Sequence, residues 1–199
     1  MQRSIQSVET GQSADELEIC PSAAELCDGD LPYDVREHDG DRSDEEHTLR
    51  LFDVGIIEME CLRGQEGELV VKELSLCNGD CQQQYIFRPP YILRNPDSKF
   101  KNKWLRKNIN GFSWYDGYLD YSQLERFVRQ FGRRYKRLFT KGDEKAMLLT
   151  NLCGMPVEDL GKYGAPKQKT IKLPTKRCQF HLNKPQLQCA VDKSIKFYG

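Results

Sequence analysis

Long apolar runs are missing from this sequence: no stretch of its 199 residues approaches the roughly 20 apolar side chains that cross a bilayer. The opening MQRSIQSVETGQSADELE has no apolar core of the kind a secretion signal needs. No internal repeat is visible, which excludes the solenoid and propeller classes. An excess of charge of one sign is absent too, since 30 basic side chains balance 30 acidic ones. These absences predict a soluble cytosolic or nuclear protein with no membrane partner. In such a compartment the eight cysteines read as buried apolar residues or metal ligands rather than as a disulfide scaffold.

The neutral total hides a division. Residues 1–50 hold 14 acidic and 4 basic side chains, a net of −10, and residues 51–199 hold 16 acidic and 26 basic, a net of +10. Residues 1–48 show no sustained apolar period and read as an acidic, disordered tail. A tail of that charge could instead fold over the basic body, competing there with a polyanion, or meet a basic partner. Its Cys20 and Cys27 have no histidine or second close cysteine pair beside them and are assigned no metal.

Order is expected from residue 49 to 199 as one α/β domain. LRLFDVGIIEMECL and LVVKELSLC read as buried strands, and QQYIFRPP as a third strand ended by two prolines. Short turns join them, including the hairpin signal Asn78-Gly79-Asp80, so they form an antiparallel meander. A basic connector follows, with a short helix expected near Lys101–Lys107. Leu124, Phe127, Val128, Phe131 and Tyr135 recur at helical spacing between Tyr121 and Arg137. RLFTKG then reads as a strand, EKAMLLTNL as a helix and the C-terminus as a last short helix. A three-strand meander followed by helix–strand–helix units predicts a mixed sheet flanked by helices.

Four groups of residues could carry chemistry. Glu58 and Glu60 alternate on a strand, so their carboxylates emerge on one face and repel unless a cation lies between them. An edge strand with both acids in water is the plainer alternative. Glu144 opens a helix, where the dipole alone can account for an acid. Cys178, His181 and Cys189, spaced C-x2-H-x7-C, suit tetrahedral zinc, with Glu58, Glu60 or Cys153 as the fourth ligand and Asp192 nearby. The competing reading is two core cysteines and a surface histidine. Finally, Lys99, Lys101, Lys103, Arg106 and Lys107, with Trp104 and Trp114, pair phosphate neutralisation with base stacking. A solvated helix face with core tryptophans would look the same. Cys77 and Cys81 flank a tight turn and read as structural.

In that order the elements resemble the DEDDh class of 3′–5′ exonucleases, of ribonuclease H-like fold. Glu58-Met59-Glu60 stands where that family has D-x-E, YIFRPPY matches its strand and proline turn, and Asn110-Gly111-Phe112 occupies the place of its histidine segment. LFTKGDEKAMLL matches the later strand and helix, and His181 with Asp192 is similar to the last motif. Glu replaces Asp at the first position, Glu144 departs likewise, and His181 and Asp192 are spaced wider than in the family. The chain also resembles the Maelstrom domain, a divergent member of the same fold, whose first-strand glutamate and late Cys-x2-His…Cys bind zinc. That resemblance implies Glu58 or Glu60 with Cys178, His181 and Cys189.

Two functions follow. As a metal-dependent nuclease, Glu58, Glu60, Glu144 and Asp192 would hold two Mg²⁺ or Mn²⁺ ions and His181 would serve the attacking water. As a binding module, a closed zinc site with Glu58 as fourth ligand would staple the domain, and the basic surface would hold single-stranded RNA or DNA without cutting it. His181 cannot serve both, and the altered acids favour the zinc reading.

Overall fold

The structure, a computed structural model, describes residues 52–199 except Asp80 and Pro174. The acidic segment 1–48, and the readings attached to it, lie outside the described residues. Strand β1 (Phe52–Arg63) turns through Arg63–Glu68 into β2 (Leu69–Cys77), and Asn78 leads into β3 (Gln82–Ile86). The first turn is closed by the Glu68 carboxylate, which accepts the Gln65 and Glu66 N–H groups at 3.2 and 2.8 Å. The three strands form the expected antiparallel meander. Helices α1 (Pro96–Asn108) and α2 (Leu124–Gly132) precede β4 (Tyr135–Thr140), α3 (Asp143–Cys153), β5 (Val157–Asp159) and α4 (Ala190–Tyr198). Strand β4 lies parallel to β1 and β5 parallel to β4, giving a five-stranded mixed sheet in the order β3-β2-β1-β4-β5. The α/β class read from the sequence holds. Among the described residues no helix is long and apolar enough to cross a membrane.

The helix expected from Tyr121 to Arg137 is divided. It stops at Gly132, and Tyr135 is already in β4, paired with Phe52. Phe131 and Tyr135 still meet, with ring centroids 4.4 Å apart, so a helix-to-strand turn reproduces the four-residue spacing of one helix face. Strand β5 has only three residues, too few to show a period.

A bulge decides which side chains share a face of the sheet. Glu60 opposes Glu73 and Cys61 opposes Val71, so Lys72 is the extra residue on β2. Its buried ammonium donates to the carbonyls of Phe87, Trp114 and Asp116 at 2.7, 2.9 and 2.6 Å. Burial pulls that ammonium down to about 8, which leaves it charged at neutral pH. On one face Ile57, Met59, Val71, Leu74 and Leu76 pack under α2 and α3. The other face carries Glu58, Glu60, Glu73 and Ser75, all buried, and α4 crosses it, with Ser194 Oγ 2.7 Å from Ser75 Oγ.

Helix α1 docks at the end of β1 with Leu105 packed on the cluster around Leu62 and with one side chain bonded to the strand itself. Asn102 accepts the Arg63 N–H at 2.7 Å and donates to the Arg63 carbonyl at 2.8 Å, reproducing a strand's own pairing. Asn102→Ala strands both backbone groups and is expected to cost about 1–3 kcal/mol in denaturant unfolding. An unchanged midpoint would show that α1 is held by other contacts.

Candidate metal centre

Glu73, Cys178, His181 and Cys189 are all buried, and one ligand atom from each lies within 4.8 Å of the others. Cys178 and His181 sit three residues apart around a short helical turn, Gln179–His181, in which the His181 N–H reaches the Cys178 carbonyl at 3.0 Å. Cys189 immediately precedes α4, and the Gln188 N–H donates to the Ile109 carbonyl at 2.6 Å. The loop between the cysteines is drawn shut by Arg177, whose guanidinium donates to the carbonyls of Leu187 and Pro185 at 2.7 and 2.5 Å. Phe180 stacks on Phe112 at 4.2 Å, and Phe112 meets His181 edge-on at 5.2 Å. Glu73 enters from β2 beneath this loop.

The spacing fits one small ion. Cys178 Sγ lies 3.1 Å from His181 Nδ1, Cys189 Sγ 3.6 Å from a Glu73 oxygen, and His181 Nδ1 3.7 Å from the other. Bonds of about 2.0–2.3 Å to a tetrahedral ion put ligand atoms roughly 3.3–3.8 Å apart, so the cluster is at coordination scale. Surrounding groups aim the ligands. The His181 Nε2–H donates to the Asn110 carbonyl at 2.7 Å, which turns Nδ1 inward. The Ala190 N–H at 2.8 Å and Gln84 Nε2 at 2.9 Å hold the Glu73 carboxylate.

Glu73 and Cys189 lean toward the protonation states of metal ligands, whereas His181 and Cys178 hold protons that an incoming ion would release. Burial would raise the Glu73 carboxyl, but hydrogen bonding and charge from His181 outweigh it and hold the group below its ordinary value. Burial likewise works against the His181 cation, and its hydrogen bonds to Cys189 and Glu73 prevail and raise it. The hydrogen bond with Cys178 favours a thiolate at Cys189, and the same bond, with burial, keeps the proton on Cys178. This buried Glu-Cys-His-Cys group could hold a metal ion.

Three of the expected ligands are thus brought together, and the fourth is corrected. Glu58 accepts the Lys141 N–H at 2.6 Å and pairs with Lys145 at 3.0 Å. Glu60 pairs with Lys193 at 2.6 Å. Cys153 sits between α2 and α3, where a Cβ on Gly132 would stand 2.2 Å from its sulfur. Glu73 replaces them because the bulge at Lys72 puts it on the face that α4 covers.

The four carboxylates of the nuclease reading do not form one group. Besides the Glu58 and Glu60 pairs, Glu144 turns outward to Arg63 at 2.5 Å, while its neighbour Lys145 turns inward. Asp192 accepts Gln168 Nε2 at 2.6 Å and pairs with Lys196 at 3.1 Å. Each acid has a cation of its own.

The expected nucleic-acid residues divide in two. Lys99, Lys101, Lys103, Arg106 and Lys107 are exposed on α1, beside Phe100 at 77 % and Trp104 at 55 % exposure. Trp114 is a correction: it is 7 % exposed, packs with Leu62, Val70 and Phe112, and donates its indole N–H to the Tyr91 carbonyl at 3.0 Å, so it cannot stack on a base. Phe100, Asn110, Lys145 and Lys193 were missing from the sequence-derived site. Compared with known protein families, curated proteins and solved structures, the chain matches none of them.

Proposed function

We propose that the body from residue 49 is a ribonuclease H-like, zinc-stapled module that binds single-stranded RNA or DNA without cutting it. The observation that carries this reading is helix α1. Its solvent face bears two exposed aromatic rings, Phe100 and Trp104, among five basic side chains that form no ion pair among the described residues. With Arg63 and Leu105 the two rings line an open groove of about 290 Å³. Rings and ammonium groups together match a strand of unpaired bases and phosphates.

The strand order, with three antiparallel strands followed by two parallel ones, supports the ribonuclease H-like assignment. A donor set of two sulfurs, one imidazole and one carboxylate favours zinc over Mg²⁺ or Mn²⁺, which prefer all-oxygen shells. Thiolate ligands of this kind suit an intracellular, reducing setting. The internal cations on Glu58, Glu60, Glu144 and Asp192 weigh against a two-metal nuclease, since divalent ions would have to displace them.

Fluorescence anisotropy with a labelled single-stranded oligonucleotide tests the reading. Trp104→Ala is expected to weaken binding by roughly 1–3 kcal/mol, the value of one stacked base. Lys103→Gln should flatten the dependence of log affinity on log salt by about 0.7, as expected for one phosphate contact. If neither substitution changes the affinity, α1 is not the interface. Degradation of the oligonucleotide in Mg²⁺, lost in Glu58→Gln, would reinstate the nuclease.

A further inference from the structure

Glu58 in the middle of β1, Lys141 just after β4, the first turn of α3, the Lys167–Gln168 turn and helix α4 line an open-sided cavity of about 470 Å³. Four lysines line it: Lys141, Lys145, Lys167 and Lys193. Lys141 Nζ donates to the Ala165 carbonyl at 2.8 Å, Lys145 pairs with Glu58, and Lys193 donates to Gln188 at 2.6 Å while pairing with Glu60. Lys167 is exposed and forms no ion pair among the described residues. Each ammonium has three N–H donors, so several remain for a guest. Setting Glu58 and Glu60 against the four lysines leaves a surplus of two positive charges around the cavity.

We infer that this cavity is a phosphate-binding site, taking a phosphate group of the bound strand where the paired acids Glu58 and Glu60 emerge from the sheet. The inference rests on the proposed binding of nucleic acid. A divalent cation is the wrong guest, because four ammonium groups would repel it. A phosphate oxygen is the right one: it accepts several charge-assisted hydrogen bonds at once, and lysines on four separate segments converge on it. The ammonium groups thereby supply, without metal, the positive charge that holds a phosphodiester. The phosphate could be a strand terminus or an internal linkage, and the two are separable.

The test uses the full chain and two surface-accessible variants, Lys167→Met and Lys141→Met, whose removal strands no buried carboxylate. Calorimetric titration with inorganic pyrophosphate probes the cavity alone. Anisotropy with one oligonucleotide carrying a 5′-phosphate, a 3′-phosphate or neither probes the strand. Both variants are expected to weaken pyrophosphate binding about tenfold, the equivalent of one charge-assisted contact. A preference for one phosphorylated terminus, lost in Lys167→Met, assigns the site to that terminus. Equal weakening of all three oligonucleotides assigns it to an internal linkage. If wild type binds no pyrophosphate, and the lysine variants bind every oligonucleotide as wild type does, the inference is overturned while the α1 reading stands. If pyrophosphate binding depends on Lys167 but no oligonucleotide binds, the anion site is upheld and the nucleic-acid reading fails.

Discussion

Cys189→Ser is expected to abolish stoichiometric zinc and to loosen helix α4 from the sheet. Cys189 is the residue from which α4 starts, and the Glu73 carboxylate it would share with the ion also accepts the first N–H of that helix. Losing the ion therefore frees a buried carboxylate, a buried imidazole and the helix start together. Structural zinc in small domains couples on the order of 10 kcal/mol of binding to folding, so the loss should exceed that of any single packing change. Metal content after purification and the unfolding midpoint with and without chelator both report it. Glu73→Gln should lower zinc affinity sharply, whereas Glu58→Gln should leave one zinc per chain. A midpoint indifferent to chelator, in a metal-free chain, would rule out the staple. Zinc lost in Glu58→Gln but kept in Glu73→Gln would return the fourth ligand to β1.

How much of this could be read from the sequence depended on whether a feature is local. Strand β2 runs over the LVVKELSLC segment expected, and the meander follows from turns written in Gly, Asn and Asp. Cys178, His181 and Cys189 are legible because all three lie on one short loop. Glu73 is not, because its place depends on a bulge, and a one-residue shift in pairing changes the face on which every later side chain lies. A clue was present in its strand: Lys72-Glu73 interrupts an otherwise apolar run, and two charges in a buried strand need partners. Trp114 was misplaced for a related reason. Its neighbours in sequence are polar, and only the fold shows that it faces Leu62 and Phe112. The break before β4 was hidden because Phe131 and Tyr135 keep contact across it.

Lys145→Met is expected to destabilise the chain by about 3–5 kcal/mol, the cost of leaving a buried charge without its partner. Glu58 is 0 % exposed, and with Lys145 gone its carboxylate keeps, among the described residues, only the Lys141 N–H at 2.6 Å and a long approach from Thr140 at 3.4 Å. Burial would lower the Lys145 ammonium, but Glu58 and then Glu60 outweigh burial and hold it above its ordinary value, so the ammonium stays charged at neutral pH. Adding Glu58→Gln to Lys145→Met removes the stranded charge and should restore most of the loss, and the double-mutant cycle then gives the coupling directly. Equal stability of Lys145→Met and wild type would mean that water reaches Glu58 and that the pair does not organise this end of the sheet. The same pair separates the two functions read from the sequence. A helix turns about 100° per residue, so the register that points Lys145 at Glu58 sends Glu144 out to Arg63. Lys145 rather than Glu144 faces the acids of β1, so the two-metal reading lacks its third carboxylate there, and Glu58 and Glu60 are paired with the lysines of α3 and α4.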